Sequence, residues 1–349
     1  MAHLFCFVVL GVNNKHTDMD YSVLFMYLGF LFAAYSVVGN DVIQTLGTFL
    51  TSNGQRPWYV LWGFSASILT IVLVYGWIQN GGDPAYGRLI GDDPTNVRFP
   101  LPDPLAWWYA LPPLVLLLIT RYGIPVSTTF LILSIFGSGS TMGAVITKSV
   151  MGYFVAFGAA IAIYLLITQK VEKRFIDTNG RKSKNHNFWV AAQWLSTGFL
   201  WSQWLIQDLA NIYVYLPRKL DAVEMGFTLL VLLGLLAYIF YNKGGTIQGI
   251  VKAKTNTADI RSATIIDFIY GIVLLVFKEW SSLPMSTTWV FIGLLSGREF
   301  AISYLLKVPK LSIVRRMALL DLAKTFSGLI ISMGLVFLIK YLSGTAVVW

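Results

Sequence analysis

The chain has 349 residues, 56% of them apolar and 12% charged, with a formal net charge of +9. A soluble domain is about a quarter charged, so this composition, with a mean hydropathy of +0.66, excludes a soluble globular enzyme, a disordered chain and a single-anchor protein. The lone cysteine, Cys6, excludes an internal disulfide, and the histidines, His3, His16 and His186, all lie outside the apolar runs, which argues against a buried imidazole metal site, a haem or a histidine proton relay.

Residues 1–18 contain a short apolar run, Leu4 to Val12, without the basic lead and small-residue exit of a signal peptide, and are set apart from the fold. Apolar segments are then predicted at 21–38, 42–52, 58–79, 105–120, 124–137 and 142–168, and after a polar gap at 188–206, 209–216, 224–242, 264–280, 284–296 and 317–342. The predicted organisation is one transmembrane repeat over 19–168, a basic cytoplasmic linker over 169–187 and a second transmembrane repeat over 188–349. Trp58, Tyr59, Trp107, Trp108 and Tyr109 stand at segment ends, as interfacial aromatic belts do.

The basic residues fall in short loops, where they set topology rather than bind nucleic acid. Loop 169–187 carries Lys170, Lys173, Arg174, Arg181, Lys182 and Lys184; loop 243–263 carries Lys243, Lys252, Lys254 and Arg261; loop 297–316 carries Arg298, Lys307, Lys310, Arg315 and Arg316. Loop 80–104 carries Asp83, Asp92, Asp93 and Asp103 against Arg88 and Arg98. The positive-inside rule puts the first three loops in the cytoplasm and the last outside a cell membrane, with both termini outside. Arg218 and Lys219 dissent from this scheme by falling outside.

Three stretches recur in the same order in each half. Asn40-Asp41-Val-Ile-Gln44 matches Gln207-Asp208-Leu-Ala-Asn211, and Pro125-Val-Ser-Thr-Thr129 matches Pro284-Met-Ser-Thr-Thr288. Lys148-Ser-Val-Met-Gly152, with Gly158 beyond it, matches Lys324-Thr-Phe-Ser-Gly328, with Gly334 beyond it. An internal duplication explains this better than chance. Counting 21–52 and 188–216 each as one broken crossing gives an odd number of crossings per half, so the second half enters from the opposite side and the repeats are inverted. The two Ser-Thr-Thr segments either cross or are re-entrant.

Asp41 and Asp208 lie inside apolar stretches, where an ionised carboxylate costs several kcal/mol unless it is paired or faces a cavity. Asn40 and Gln44 flank the first; Gln207 and Asn211 flank the second. Carboxylate and amide oxygens without sulfur or imidazole suit a hard cation, with sodium the natural candidate. The alternative is a polar cluster that only glues helices. In the Pro-x-Ser-Thr-Thr segments, proline suits the first turn of a helix, and Ser127, Thr128, Thr129, Ser286, Thr287 and Thr288 then stand beside free backbone N–H groups. Two such helix starts meeting at mid-membrane make an oxyanion site without arginine; the alternative is that the hydroxyls merely cap two kinked helices.

Together these motifs resemble the inorganic phosphate transporter (PiT) family over roughly residues 21–342. That family is marked by a duplicated Gly-Ala-Asn-Asp-Val-Ala-Asn-like stretch and duplicated Pro-x-Ser-Thr-Thr segments in two inverted halves. The chain departs from it at Gln44 and Gln207, where the family has Asn, and at Phe130 and Trp289, where a histidine often follows Ser-Thr-Thr. The resemblance implies an all-α polytopic membrane protein of two inverted-topology repeats with discontinuous helices. It implies a secondary transporter that takes up inorganic phosphate with a cation, Na+, by alternating access. In it Asn40, Asp41, Gln44, Gln207, Asp208 and Asn211 bind the cation, Asp41 and Asp208 as its charged ligands, and the six Ser-Thr-Thr residues bind the anion. Sulfate or another oxyanion, and coupling to protons, are the alternatives within the fold. The expected partners are the anion, the coupling ion and the lipid bilayer, with no resident cofactor and with a homodimer left open.

Other classes fare worse. A membrane-embedded enzyme would need a nucleophile with a base, and the apolar segments hold no His or Cys. A channel fits paired broken helices less well than alternating access does, and no ATP-binding Walker motif is present. Lys148 and Lys324 either lend positive potential to the anion or snorkel to an interface, snorkelling being favoured. Asp267 is either a third ion ligand or interfacial, and Asp321 is expected to pair with Lys324 one turn on.

Overall fold

The computed structural model describes residues 21–342 and 344, apart from 94–95, 122–125, 179–184, 245–247, 249–257 and 308. Residues 1–18, Pro125 and the basic residues Arg181, Lys182, Lys184, Lys252 and Lys254 lie outside the described residues.

The described chain is all-helical: α1 (Tyr21–Ser52), α2 (Trp58–Gln79), α3 (Leu111–Arg121), α4 (Gly139–Asp177, with a π turn at Thr168–Glu172), α5 (His186–Tyr213), α6 (Ala222–Tyr241), α7 (Ile260–Trp280), α8 (Thr287–Leu306) and α9 (Leu311–Leu342). Seven of these, all but α3 and α5, are long and apolar enough to cross a bilayer. Large apolar side chains such as Ile71, Leu166, Leu230 and Ile330 are exposed on the outer helices, which in a membrane protein is the lipid-facing surface. The most apolar windows of α7 and α8 are instead 67% and 78% buried, so these two helices form the centre.

The structure differs from the sequence reading at several places. The stretches 21–38 and 42–52 are one unbroken helix, α1, and 188–206 and 209–216 are contained in α5 and the turn after it. Neither helix breaks at its aspartate, because no proline interrupts the backbone ladder and the polar side chains bond outward to neighbouring segments. The interruptions sit at the Ser-Thr-Thr segments, and there the two halves differ. Ser286 caps the full 20-residue α8, whereas Thr129–Leu133 is a five-residue π turn between the short α3 and α4. Finally, Arg298 is not a loop residue: α8 runs on to Leu306 and buries it completely. Likewise Lys170, Lys173 and Arg174 lie exposed on the continuation of α4 rather than in a loop. Arg218 is half-buried beyond the end of α5, where its guanidinium donates to the carbonyls of Leu216, Val214 and Phe99.

The most extensive helix contact joins α4 to α8. Gly293 and Gly297, four residues apart on α8, admit this approach: a Cβ at Gly293 would stand 2.4 Å from the Tyr153 carbonyl oxygen, and one at Gly297 2.3 Å from that of Phe157. Gly293→Ala is therefore expected to destabilise the protein by about 1–3 kcal/mol through overpacking. Gly234→Ala on α6, with open space around it, should be neutral or mildly stabilising. Thermal unfolding in detergent measures both.

Candidate functional site

Asn40, Asp41 and Gln44 are buried on α1, Gln207, Asp208 and Asn211 are buried on α5, and the two Ser-Thr-Thr segments pack between these helices. Ser127 accepts from the Phe130 N–H at 3.2 Å and Ser286 from the Trp289 N–H at 3.4 Å, so each serine caps the turn it opens. The segments then grip each other reciprocally. The Thr129 hydroxyl donates to the Met285 carbonyl at 3.2 Å, and its counterpart Thr288 donates to the Val126 carbonyl at 3.3 Å. Phe130 and Trp289, at matched positions, meet edge to face with centroids 5.8 Å apart and put an apolar wall beside the junction.

The carboxylates sit on this junction. Asp41 accepts from Thr128 at 2.5 Å and from Asn40 at 2.6 Å, while the Asn40 amide also reaches the Val126 carbonyl at 2.8 Å. Asp208 accepts from Asn211 at 2.8 Å and is faced by the hydroxyls of Thr129 and Thr287. Asn211 links the halves by donating to Thr128 at 3.0 Å and Thr129 at 3.2 Å. The two carboxylates are close enough to repel one another. Tyr270 of α7 anchors the Thr287 carbonyl at 3.0 Å, and Ser149 of α4 accepts from the Ser286 N–H at 2.8 Å.

What the cluster leaves unsatisfied decides its chemistry. Among the described residues, Asn40 Oδ1, Gln207 Oε1, Asp208 Oδ2 and Asn211 Oδ1 are buried oxygens with no hydrogen-bond partner. Such orphans are costly in a protein interior and call for a ligand. A set of neutral amide oxygens beside two carboxylates, with no imidazole or thiolate, fits a hard monovalent cation. Gln44 leaves its amide nitrogen unpaired, so as placed it offers a donor rather than a ligand. Gln207 has turned its amide nitrogen to the Leu274 carbonyl at 3.0 Å, which frees its oxygen. The threonine hydroxyls expected to face an anion are, in this arrangement, committed to Asp41 and to backbone carbonyls.

Asp267 is not interfacial. It is buried on α7 and accepts from Thr48 of α1 and Thr197 of α5, each at 2.5 Å, so it ties together the two helices that carry Asp41 and Asp208. Sequence inspection missed both threonines, because a hydroxyl in an apolar helix carries no periodic signal of its own. Lys148 does not snorkel: it is buried, and its ammonium donates to the carbonyls of Ser281 at 2.9 Å and Leu283 at 2.7 Å, while Lys324 is exposed on α9.

Compared with known proteins, the chain matches no family model and no curated protein. A solved structure does match: "The sodium-dependent phosphate transporter", at 16% identity and a TM-score of 0.56, with 93% of this chain covering 100% of that one. The chain has the PiT fold. At this identity the likeness establishes the architecture, an all-helical multi-pass membrane protein, and the chemistry must be argued from the junction itself.

Proposed function

We propose that the chain is a secondary transporter that moves inorganic phosphate across the membrane together with Na+. The carrying observation is the junction of the two Ser-Thr-Thr segments, where paired carboxylates and orphan amide oxygens meet hydroxyl-bearing helix starts. A cation held by Asp41 and Asn40 Oδ1, or by Asp208, Asn211 Oδ1 and Gln207 Oε1, neutralises the charge that otherwise repels an oxyanion and claims the hydroxyl protons. With the carboxylates neutralised, the threonine hydroxyls and first-turn N–H groups turn to the anion. Cation and anion thus favour the same state of the site, which is the thermodynamic basis of symport.

The reciprocal Thr129 and Thr288 bonds support the reading of the halves as duplicated, and placing loop 80–104 outside makes them inverted. The name of the structural neighbour supports phosphate and Na+. Uptake of labelled phosphate and sulfate into proteoliposomes, with and without a sodium gradient, tests the proposal: uptake of sulfate alone would reassign the anion, and indifference to sodium would remove the coupling ion. In the same assay Thr128→Ala and Thr287→Ala should each lower apparent phosphate affinity. A lost donor to a desolvated anion costs about 1–3 kcal/mol, or roughly five- to 150-fold. Unchanged affinity in both variants would place the anion elsewhere.

A further inference from the structure

Arg88 belongs to the acidic loop 80–104, yet it is only 3% exposed. Its Nη1 donates to the Ser282 carbonyl at 3.1 Å, and its Nε is buried with no partner. Lys148, 6% exposed, reaches the same strap, Ser281 to Leu283, through two carbonyls, which leaves a further N–H of its ammonium for an acceptor. Neither cation has an ion-pair partner among the described residues. Of the nearby acids, Asp92 is engaged with Arg98 at 3.5 Å and with the Ser282 hydroxyl at 3.0 Å, Glu279 with Lys278 at 2.9 Å, and Asp208 acts on Arg88 through space without an ion-pair contact. Burial pulls the Arg88 guanidinium down to about 10, with Asp208 acting the other way, so it stays charged at neutral pH. Arg88 and Arg98 both act on Lys148 as like charges.

Two buried cations beside one short strap, neither in ion-pair contact with a carboxylate among the described residues, have room for an anion to complete them. Arg88 and Ser282 also line an open cleft of about 420 Å³, whose wall includes Ile206, the residue before Gln207 and Asp208. The strap itself leads directly into Pro284-Met-Ser-Thr-Thr. The strap thus connects Arg88 and Lys148 to the Ser-Thr-Thr junction.

We propose that Arg88 and Lys148, with Arg98 at the rim, form a second oxyanion site on the loop 80–104 side, which captures the anion before it passes to the junction. This site takes a tetrahedral oxyanion such as phosphate or sulfate without needing sodium, because its charge comes from arginine and lysine rather than from a bound cation. It rests on the transport reading for the identity of its anion, and on the unpaired cations alone for its existence.

The test uses the full chain in detergent and labelled inorganic phosphate, in choline buffer without sodium. Wild-type protein is expected to bind phosphate there, and sulfate to compete. Arg88→Gln should weaken this binding at least tenfold, Arg88→Lys should retain most of it, and Arg98→Gln, at a partly exposed position, should weaken it severalfold. Gly234→Ala, on α6 and away from the strap, should leave it unchanged. In proteoliposomes Arg88→Gln should lower kcat/KM about tenfold through KM, since focused charge acts on capture. Absence of sodium-free binding in the wild type would overturn the site. So would equal losses in Arg88→Gln and Arg88→Lys, which would make Arg88 a strut for the strap. Sodium-free binding that depends on Arg88 in a protein that takes up no phosphate would overturn the transport reading and leave the site standing.

Discussion

Asp208→Asn is expected to abolish sodium-dependent uptake, with apparent sodium affinity lowered by about 100-fold or more. Asp208 is fully buried, is held by Asn211 at 2.8 Å, and keeps an unpartnered Oδ2 at the junction. Removing the charged partner of a buried ion contact costs about 3–5 kcal/mol, and each 1.4 kcal/mol is about tenfold in affinity. Asn preserves the shape and the bond to Asn211 through its own oxygen, so the loss reads charge rather than packing. Asp41→Asn should act in the same direction, since Thr128 and Asn40 both donate to that carboxylate. A wild-type sodium curve in both variants, at unchanged protein levels, would return the two aspartates to helix packing.

Arg298→Leu is expected to be among the most destabilising single changes in the protein, at about 3–5 kcal/mol. The Arg298 guanidinium, with no exposure, pairs with Glu172 at 2.7 Å and Glu299 at 3.0 Å and lies over the Tyr164 ring at 5.1 Å. Glu172 in turn accepts from Ser262 at 2.8 Å, so the cluster joins the π turn of α4 to α7 and α8. Without the arginine, two carboxylates are left buried together. Arg298→Lys should recover part of the loss, since the charge survives and the planar fork does not. The triple variant Arg298→Leu, Glu172→Gln, Glu299→Gln should recover part by the other route, because the uncompensated charge is gone. Thermal unfolding in detergent orders the variants; equal stability of Arg298→Leu and wild type would show that the cluster contributes nothing net.

The place of the junction was legible because a carboxylate in an apolar run has few innocent explanations, and a repeated one has fewer. Asp41 with Asn40, Asp208 with Asn211, and both Ser-Thr-Thr segments, all singled out by spacing and repetition, converge on one buried cluster. The basic patch around Arg88 was not legible. Its arginines sit in a loop with more acids than bases, and only folding decides that Asp92 turns to Arg98 and Ser282, and Glu279 to Lys278, rather than to Arg88. For Lys148 the sequence favours snorkelling over lending potential to the anion; the strap whose carbonyls hold it is more than 130 residues away in sequence.

Composition and hydrophobic patterning by themselves determine that this chain is helical and lives in a membrane, since transfer free energy and segment length are local sums over residues. The duplicated motifs likewise follow from the sequence, because repetition is a property of order alone. Tertiary structure alone decided that α1 and α5 run unbroken past their aspartates, that the first Ser-Thr-Thr segment opens a mere π turn while the second opens a full helix, and that Arg298 is buried. Each of these turns on which distant group completes a hydrogen bond or an ion pair: Thr128 for Asp41, Thr48 and Thr197 for Asp267, Glu172 for Arg298. The free energy of a buried polar group depends on that partner far more than on its neighbours in the chain, so its fate is written in the packing rather than in the local sequence.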